Sequence, residues 1–112
     1  KGMKKYIVIY IASTSAMEKM KDATPEDMKK GMEPWMVWAE RIGDGLVDWG
    51  TPLGGGQRIT KSGSSPSAPV VGYSILQAED MEAAKALLKG HPHLDWAPGC
   101  EIEVHESLPR PM

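Results

Sequence analysis

The hydrophobic pattern at the start of the chain has a period of two and marks an extended segment. Residues 4–12 are apolar on both sides, with Ile7, Ile9 and Ile11 on one side and Tyr6, Val8 and Tyr10 on the other. Successive side chains of a strand point to opposite faces, so a run that is apolar on both sides is typical of a strand covered on both faces. We therefore predict a central β-strand over residues 4–12.

A helical period replaces this pattern after residue 23. The letters TPED place Thr24 at the N-cap, Pro25 at the first helical position and Asp27 where a capping-box acid belongs. The apolar positions then recur at spacings of four and three, and they are Met28, Met32, Trp35, Ala39 and Ile42. This spacing predicts an amphipathic helix.

Glycine and proline set the limits of that helix. Pro34 lacks a backbone donor and is expected to kink the helix or to restart it near Glu33. Gly43 and Gly45 are expected to end it. Residues 13–23, which precede it, are predicted to be a polar connection.

The second half of the chain alternates between strand and helix patterns. Extended segments are predicted at 46–50, 57–61, 70–76 and 100–105, a flexible loop at 62–69, and a helix at 80–89 that Gly90 and Pro92 stop. The core face of this helix is predicted to carry Met81, Ala84, Leu87 and Leu88. The last strand is predicted to place Cys100, Ile102 and Val104 on one side and Glu101, Glu103 and His105 on the other.

This order of elements predicts an α+β fold. Two right-handed crossovers with a hairpin between them give a ferredoxin-like βαββαβ antiparallel sheet with two helices on one face. Residues 3–112 are predicted to form a single domain, and Lys1-Gly2 ahead of Met3 is interpreted as a remnant of cloning.

A sheet covered on one side leaves its other face open. We predict that Tyr6, Val8, Tyr10, Glu101, Glu103 and His105 lie on this open face. Apolar and aromatic area of that size favours cover by a second copy of the chain, so a homodimer is predicted.

Charge and cysteine usage narrow the class of protein. The formal net charge is −2, which argues against nucleic-acid and anionic-membrane partners. One cysteine cannot form an internal disulfide, which favours the cytoplasm. A signal peptide is the alternative interpretation of the N-terminal apolar run, but that run is short and rich in β-branched residues, as a buried strand would be.

The segment KGHPHLDWAPGCEIEVHE concentrates the titratable side chains. Its H-x-H-x-D spacing, His91, His93 and Asp95, is compatible with zinc ligands, but only His105 remains as a distant fourth ligand, and we predict no metal. Cys100 is interpreted as a core residue rather than a nucleophile, since it shares a strand face with Ile102. The letters GTPLGGGQR are interpreted as a hairpin loop and not as a phosphate loop, because a strand follows them.

Four stretches, MKKYIVIYIA, PEDMKKGMEPWMVWAERIGDGLVDWGTPLGGG, VVGYSILQAEDMEAAKALLKGHPHL and CEIEVHE, together resemble the YCII-related family and its DGPF-like branch. The resemblance spans Met3 to about Glu106. It implies a dimeric α/β barrel, no cofactor, and a small-molecule enzyme related to dehydrochlorinases and muconolactone isomerases. Alternatively, it implies a non-catalytic ligand-binding or regulatory accessory domain.

The resemblance also implies a candidate site. Better-studied members carry a histidine on the first helix and an aspartate in a D-P pair before the last strand. Here the D-P position is His91-Pro92, and the helix position falls near Glu33, so the acid and the imidazole are exchanged. We predict that His91 acts as acid or base beside Glu33 or Asp48. A histidine that caps the helix C-terminus is the alternative. The predicted ligand contacts are Tyr10, Trp35, Asp48 and His93.

Overall fold

A computed structural model describes residues 2–111 of the chain. Lys1, half of the pair interpreted as a cloning remnant, and Met112, the end of the predicted domain, lie outside the described residues. The elements follow the order β1 (Lys4–Ile11), α1 (Thr14–Lys21), α2 (Pro25–Ile42), a 3₁₀ turn (Gly43–Gly45), β2 (Leu46–Asp48), β3 (Gln57–Thr60), β4 (Gly63–Pro66), β5 (Val70–Ala78), α3 (Met81–Leu88), α4 (His93–Trp96) and β6 (Glu101–Glu106).

Four of the strands form one antiparallel sheet in the order β2-β5-β1-β6, and β3 and β4 form a separate hairpin. The central strands pair in a register that sets Tyr6 opposite Leu76 and Val8 opposite Ser74. The chain is therefore an α+β protein with a four-stranded antiparallel sheet, and β1 is a central strand, both as predicted.

The predicted orientation of β1 is wrong. Tyr6, Val8 and Tyr10 are buried, and they pack with Trp38 of α2 and Leu88 of α3 in the main core. Ile7 and Ile9 pair with His105 and Glu103 and share the open face with them. Both sides of β1 are apolar, so its own pattern does not distinguish the helix-covered side.

The pattern of β6 is confirmed. Ile102 and Val104 pack against the core, while Glu101, Glu103 and His105 are exposed on the other side. Cys100, one residue before the strand, is buried among Ala12, Ala16 and Ala97, as its interpretation as a core residue requires.

Two elements differ from the predictions. The expected polar connection contains α1, whose N-cap Ser13 accepts a hydrogen bond from the backbone of Ala16. Helix α1 has eight residues, and only Ala16 is buried while Met17 and Met20 are about half exposed, so its apolar pattern is short and weak. The expected flexible loop contains β4, whose sequence GSSP has no apolar alternation and is exposed throughout.

Helix α2 begins as predicted, with Thr24 and Asp27 hydrogen bonded to each other's backbone in a capping box. It continues through Pro34 to Ile42 without restarting, and Gly43 ends it with φ of 53°. Only its second half contributes to the core, because Met28 and Met32 remain largely exposed. Across residues 2–111, no helix combines the length and the apolar character that a bilayer crossing requires.

Replacing Tyr6 with phenylalanine should raise the midpoint of thermal unfolding by several degrees. The Tyr6 side chain is fully buried, and its hydroxyl has no hydrogen-bond partner within the described residues. A buried polar group without a partner loses its hydration and gains nothing in return, so removing it stabilises the fold. Calorimetry of both proteins measures the shift. Tyr10→Phe, which removes a hydrogen-bonded hydroxyl, should lower the midpoint, and a lower midpoint for Tyr6→Phe would contradict the prediction.

Candidate functional site

Three polar side chains are buried in the described part of the chain, and they lie together. They are Ser74 in β5, His91 after α3, and His93 in α4. Ser74 lies on the helix-covered face of the sheet. Gly90, with φ of 72°, forms the turn after α3, and His93 beyond it reaches the carbonyl of Ile11 in β1. Buried polar groups are stable only when hydrogen bonded, so their partners define the site.

A chain of hydrogen bonds joins Ser74 to His91 through Tyr10. The Tyr10 hydroxyl lies 2.8 Å from Ser74 Oγ and 3.2 Å from His91 Nε2. At one end, Ser74 donates its hydroxyl hydrogen to the carbonyl of Trp49 at 2.7 Å. At the other end, the backbone N–H of His93 donates to His91 Nδ1 at 3.0 Å. We call these three side chains, Tyr10, Ser74 and His91, the relay.

The two backbone groups fix the direction of every hydrogen in the relay. An N–H can only donate, so His91 Nδ1 accepts and the neutral ring carries its hydrogen on Nε2. His91 Nε2–H therefore donates to the Tyr10 oxygen, and Tyr10 donates to Ser74, whose own hydrogen is held by the carbonyl. The Tyr10 oxygen keeps a lone pair for a further hydrogen bond.

Aromatic rings surround His91 and exclude water from it. The centroids of Trp35 and Trp38 lie 4.5 and 4.4 Å from its imidazole, both in edge-to-face arrangements. Trp38 is fixed in turn because its indole N–H donates to the carbonyl of Leu87 at 2.8 Å. His93 is held by a 2.8 Å hydrogen bond between its Nε2 and the carbonyl of Ile11.

Burial keeps the relay uncharged. It lowers the pKa of His91 to about 3, with smaller contributions from His93 and from the positive charge of Arg41. Burial also raises the pKa of Tyr10 to about 12, although the hydrogen bond with Ser74 lowers it. At neutral pH the relay is therefore a neutral imidazole, a neutral phenol and a hydroxyl.

The relay adjoins a cleft of about 1210 Å³ that lies against α2, the segment 49–52 and the turn after α3. Tyr10 and His93 are part of its wall, whereas His91 lies behind them. All four tryptophans of the chain line this cleft, and they are Trp35, Trp38, Trp49 and Trp96. Met20, Met28 and Met32 form a flexible apolar part of the same wall.

Two cationic side chains at the cleft hold backbone carbonyls. Lys19 donates to the carbonyl of Trp96 and Arg41 to that of Lys89, both at 2.8 Å. Arg41 has further N–H donors that these contacts leave free. The cleft therefore combines an aromatic wall with donors at its edge.

Four of the six predicted site residues meet in this region. Tyr10, His91 and His93 are buried together, and Trp35 packs on their rings. Glu33 and Asp48 do not join them. Glu33 is exposed and lines a different hollow beside Met36 and Glu40.

The carboxylate of Asp48 accepts a hydrogen bond from the backbone N–H of Gly50 at 2.8 Å. That contact fixes the turn 48–50 and leaves His91 without a carboxylate partner among residues 2–111. The His91 ring pairs instead with the Tyr10 hydroxyl and the backbone N–H of His93, and not with the carbonyls at the end of α3 that a helix cap would contact.

Sequence reasoning missed Ser74, Trp38 and the carbonyl of Trp49. Ser74 did carry a signal, because it is the one hydroxyl among the alternate positions Gly72, Ser74, Leu76 and Ala78 of β5. A lone polar side chain on a core-facing strand position requires a buried partner. The carbonyl of Trp49 carried no such signal, because every residue has a backbone carbonyl.

The histidines are not arranged as metal ligands. Both ring nitrogens of His91 and Nε2 of His93 have protein hydrogen-bond partners. Residues 2–111 contain no group of three or more His, Cys, Asp or Glu side chains placed to hold a metal ion. The glycine-rich segment leads into strand β3 and not into a helix, as predicted. It is not the expected hairpin loop, because β2 pairs with β5 and β3 pairs with β4.

Comparisons with known proteins assign no family. No protein-family model matches the chain, and no curated protein sequence matches it significantly. The resemblance to the YCII-related family therefore stays a prediction, and the site's geometry carries the functional argument.

Proposed function

We propose that the chain binds a small cyclic or aromatic compound in the cleft, with Tyr10 as its polar contact. The observation that carries this proposal is that all four tryptophans line one cleft beside a buried hydrogen-bond relay. Aromatic side chains offer edges and faces on which a planar ring packs favourably. The free lone pair of Tyr10 accepts a hydrogen bond from a ligand hydroxyl or amine.

The composition of the cleft supports a small-molecule ligand. Binding sites for such ligands are mostly apolar with a few well-placed polar groups, and their volumes run from about 300 to 1,000 Å³. This cleft, at about 1210 Å³, is slightly larger. Its methionines can adjust to the ligand's outline because their side chains are unbranched.

Acid–base catalysis is the second candidate function, and the unbroken relay favours it. Tyr10 would touch the substrate, and His91, which lies behind the wall, would act through Tyr10. The lyase or isomerase chemistry that the YCII resemblance implies would then use a phenol and an imidazole. The predicted partner Glu33 would have to act from the surface. A regulatory accessory domain would use the same cleft without turnover.

Tryptophan fluorescence tests the binding proposal directly. Phenol, catechol and toluene should each quench the emission in a saturable way, since all four fluorophores line the cleft. Trp35→Leu should weaken binding of all three by about threefold to tenfold, because an aromatic pair contributes about 0.5–1.5 kcal/mol. Tyr10→Phe should weaken phenol and catechol but not toluene, since only the first two can donate a hydrogen bond.

Leu108→Ala, at a position 72% exposed, is the matched control and should leave all three affinities unchanged. If none of the three compounds quenches the emission in a saturable way, the binding proposal is wrong. Mass spectrometry of the same mixtures tests the second candidate. A product that forms with the wild type and not with Tyr10→Phe would support catalysis.

The ferredoxin-like dimeric barrel is also a proposal, and the strand order β2-β5-β1-β6 supports it. The open face of the sheet carries a row of partly exposed apolar side chains that belong to neither core cluster, namely Ile7, Ile9, Ile11, Tyr73 and Ile75. Burying apolar area contributes about 25 cal/mol per Å², so pairing this face with that of a second copy favours a homodimer. A folded 12.2 kDa monomer in sedimentation at micromolar concentration would overturn it.

A further inference from the structure

The β3–β4 hairpin extends from the body of the protein as an exposed arm, which we define as residues 53–69. Every residue of the arm is exposed, including Ile59 at 82%. Its two strands pair regularly from Gln57 opposite Pro66 to Thr60 opposite Gly63. Within residues 2–111, β3 and β4 make substantial contact only with each other. The arm is ordered but has no core of its own.

The overall dimensions reflect this extension. The Cα radius of gyration is 15.5 Å, whereas a compact domain of this length has about 13 Å. A two-stranded hairpin alone is marginally stable in water, and three strands or a packing partner are needed to hold it. The arm therefore needs a packing partner that this copy of the chain does not supply within residues 2–111.

The charge of the arm identifies the surface. Arg58 and Lys61 are its only charged residues, and neither forms an ion pair within the described residues. Glu101 and Glu103 are exposed acids on β6, which lies at the sheet edge. Glu103 contacts only His105, at 3.2 Å, and Glu101 has no ion pair among residues 2–111.

These acids lie beside the apolar row of the open face. Ile11 pairs with Glu101, and Ile9 pairs with Glu103, so the acids and the isoleucines project on the same side. A second copy that covers the isoleucines brings its own surface next to the acids. The basic arm of that copy is the segment with complementary charge.

We propose that the arm of each copy packs on the β6 acids of a second copy, with Arg58 and Lys61 facing Glu101 and Glu103. This inference rests on the homodimer of the proposed function and names the segment that closes it. Thr51 and Pro52, which immediately precede the arm, line the aromatic cleft. Docking of the arm would therefore hold one wall of the cleft in place.

Charge reversal tests the proposal by sedimentation across a dilution series. Arg58→Glu with Lys61→Glu should weaken the dimer about tenfold or more, since like charges replace complementary ones. Glu101→Lys with Glu103→Lys should weaken it similarly. The combination of all four changes should restore the affinity to within about threefold of the wild type.

Lys29→Glu with Lys30→Glu is the matched control, because these exposed lysines of α2 give the same change in net charge. This control should leave the affinity within about threefold of the wild type. A dimer whose affinity all variants leave unchanged would overturn the arm and leave the homodimer standing. A wild type that stays monomeric would overturn the homodimer and the arm with it. If each double charge reversal weakens the dimer but the combination of all four changes does not restore its affinity, the proposed pairing is also wrong.

Discussion

Replacing Gly50 with alanine should destabilise the fold by about 3 kcal/mol or more. Gly50 has φ of 80°, a conformation that other residues rarely adopt. A Cβ at this position would overlap the carbonyl oxygen of Tyr73, and that oxygen belongs to the backbone of β5 and cannot rotate away. Strain of this kind costs about 1–3 kcal/mol before the overlap is added. Urea unfolding of both proteins measures the difference.

Gly54→Ala is the control, because a Cβ there meets nothing within 4 Å and the backbone φ is not positive. It should change the stability by less than about 0.5 kcal/mol, as exposed substitutions usually do. Gly50 also follows Trp49, whose carbonyl ends the relay, so Gly50→Ala should weaken catechol binding in any protein that still folds. Equal stabilities for the two variants would contradict the prediction.

The elements that the sequence predicted well are those with a local physical cause. The TPED capping box fixes the start of α2 through hydrogen bonds between neighbours in the chain. Gly43 ends the helix because it adopts a positive φ. In both cases the interacting groups lie within a few residues of each other, so the local sequence pattern is enough to predict the helix end.

The candidate site was predictable only in part, because its partners are distant in the chain. His91 is separated from Tyr10 by 81 residues, and Tyr10 from Ser74 by 64. Each is an ordinary aromatic or polar residue in the sequence, and the register of β1 against β5 decides which side chains meet. The resemblance placed a carboxylate beside His91, whereas the fold places a phenol there.

The orientation of β1 also depends on contacts with residues that are distant in the chain. Ile7, Ile9 and Ile11 are as apolar as the core residues Tyr6, Val8 and Tyr10, and the strand's own sequence does not rank them. The hydroxyl of Tyr10 finds buried partners on the helix-covered side, which is a long-range contact. The isoleucines take the place of Tyr6, Val8 and Tyr10 on the open face, so the proposed second copy still has an apolar row to cover.

A neutral relay restricts the chemistry available to the cleft. At neutral pH the imidazole of His91 is uncharged, because its pKa is about 3. It donates its Nε2–H to Tyr10 and carries no second proton that it could give to a ligand. Proton uptake by His91 requires that a ligand or a transition state supply the compensating charge. The relay as it stands therefore orients a hydrogen bond, and this property is why binding is the function that its geometry supports best.

The stability of the protein should fall by about 1.4 kcal/mol for each pH unit below about pH 6.5 on account of His91 alone. Burial lowers the pKa of His91 to about 3 in the folded state, while an unfolded chain leaves it near 6.5. Between these values the unfolded state binds one proton more than the folded state, so acid favours unfolding. The contribution is fully present above pH 6.5 and is lost as the pH falls. Urea unfolding at pH 7.5, 5.5 and 4.5 measures the slope.

His91→Gln isolates this contribution, because glutamine does not titrate and the carboxyl groups of the two proteins are the same. The variant should be less stable at pH 7.5, since it disturbs the relay, but the stability gap should narrow by about 2.5 kcal/mol on going to pH 4.5. His105→Gln, at a side chain that is 63% exposed, should keep the steep slope of the wild type. The groups that face His91, namely Tyr10, His93 and Arg41, are present in every variant and cannot produce the difference. A gap between wild type and His91→Gln that stays constant from pH 7.5 to 4.5 would mean that His91 has the same pKa in the folded and the unfolded state, and the prediction would be wrong.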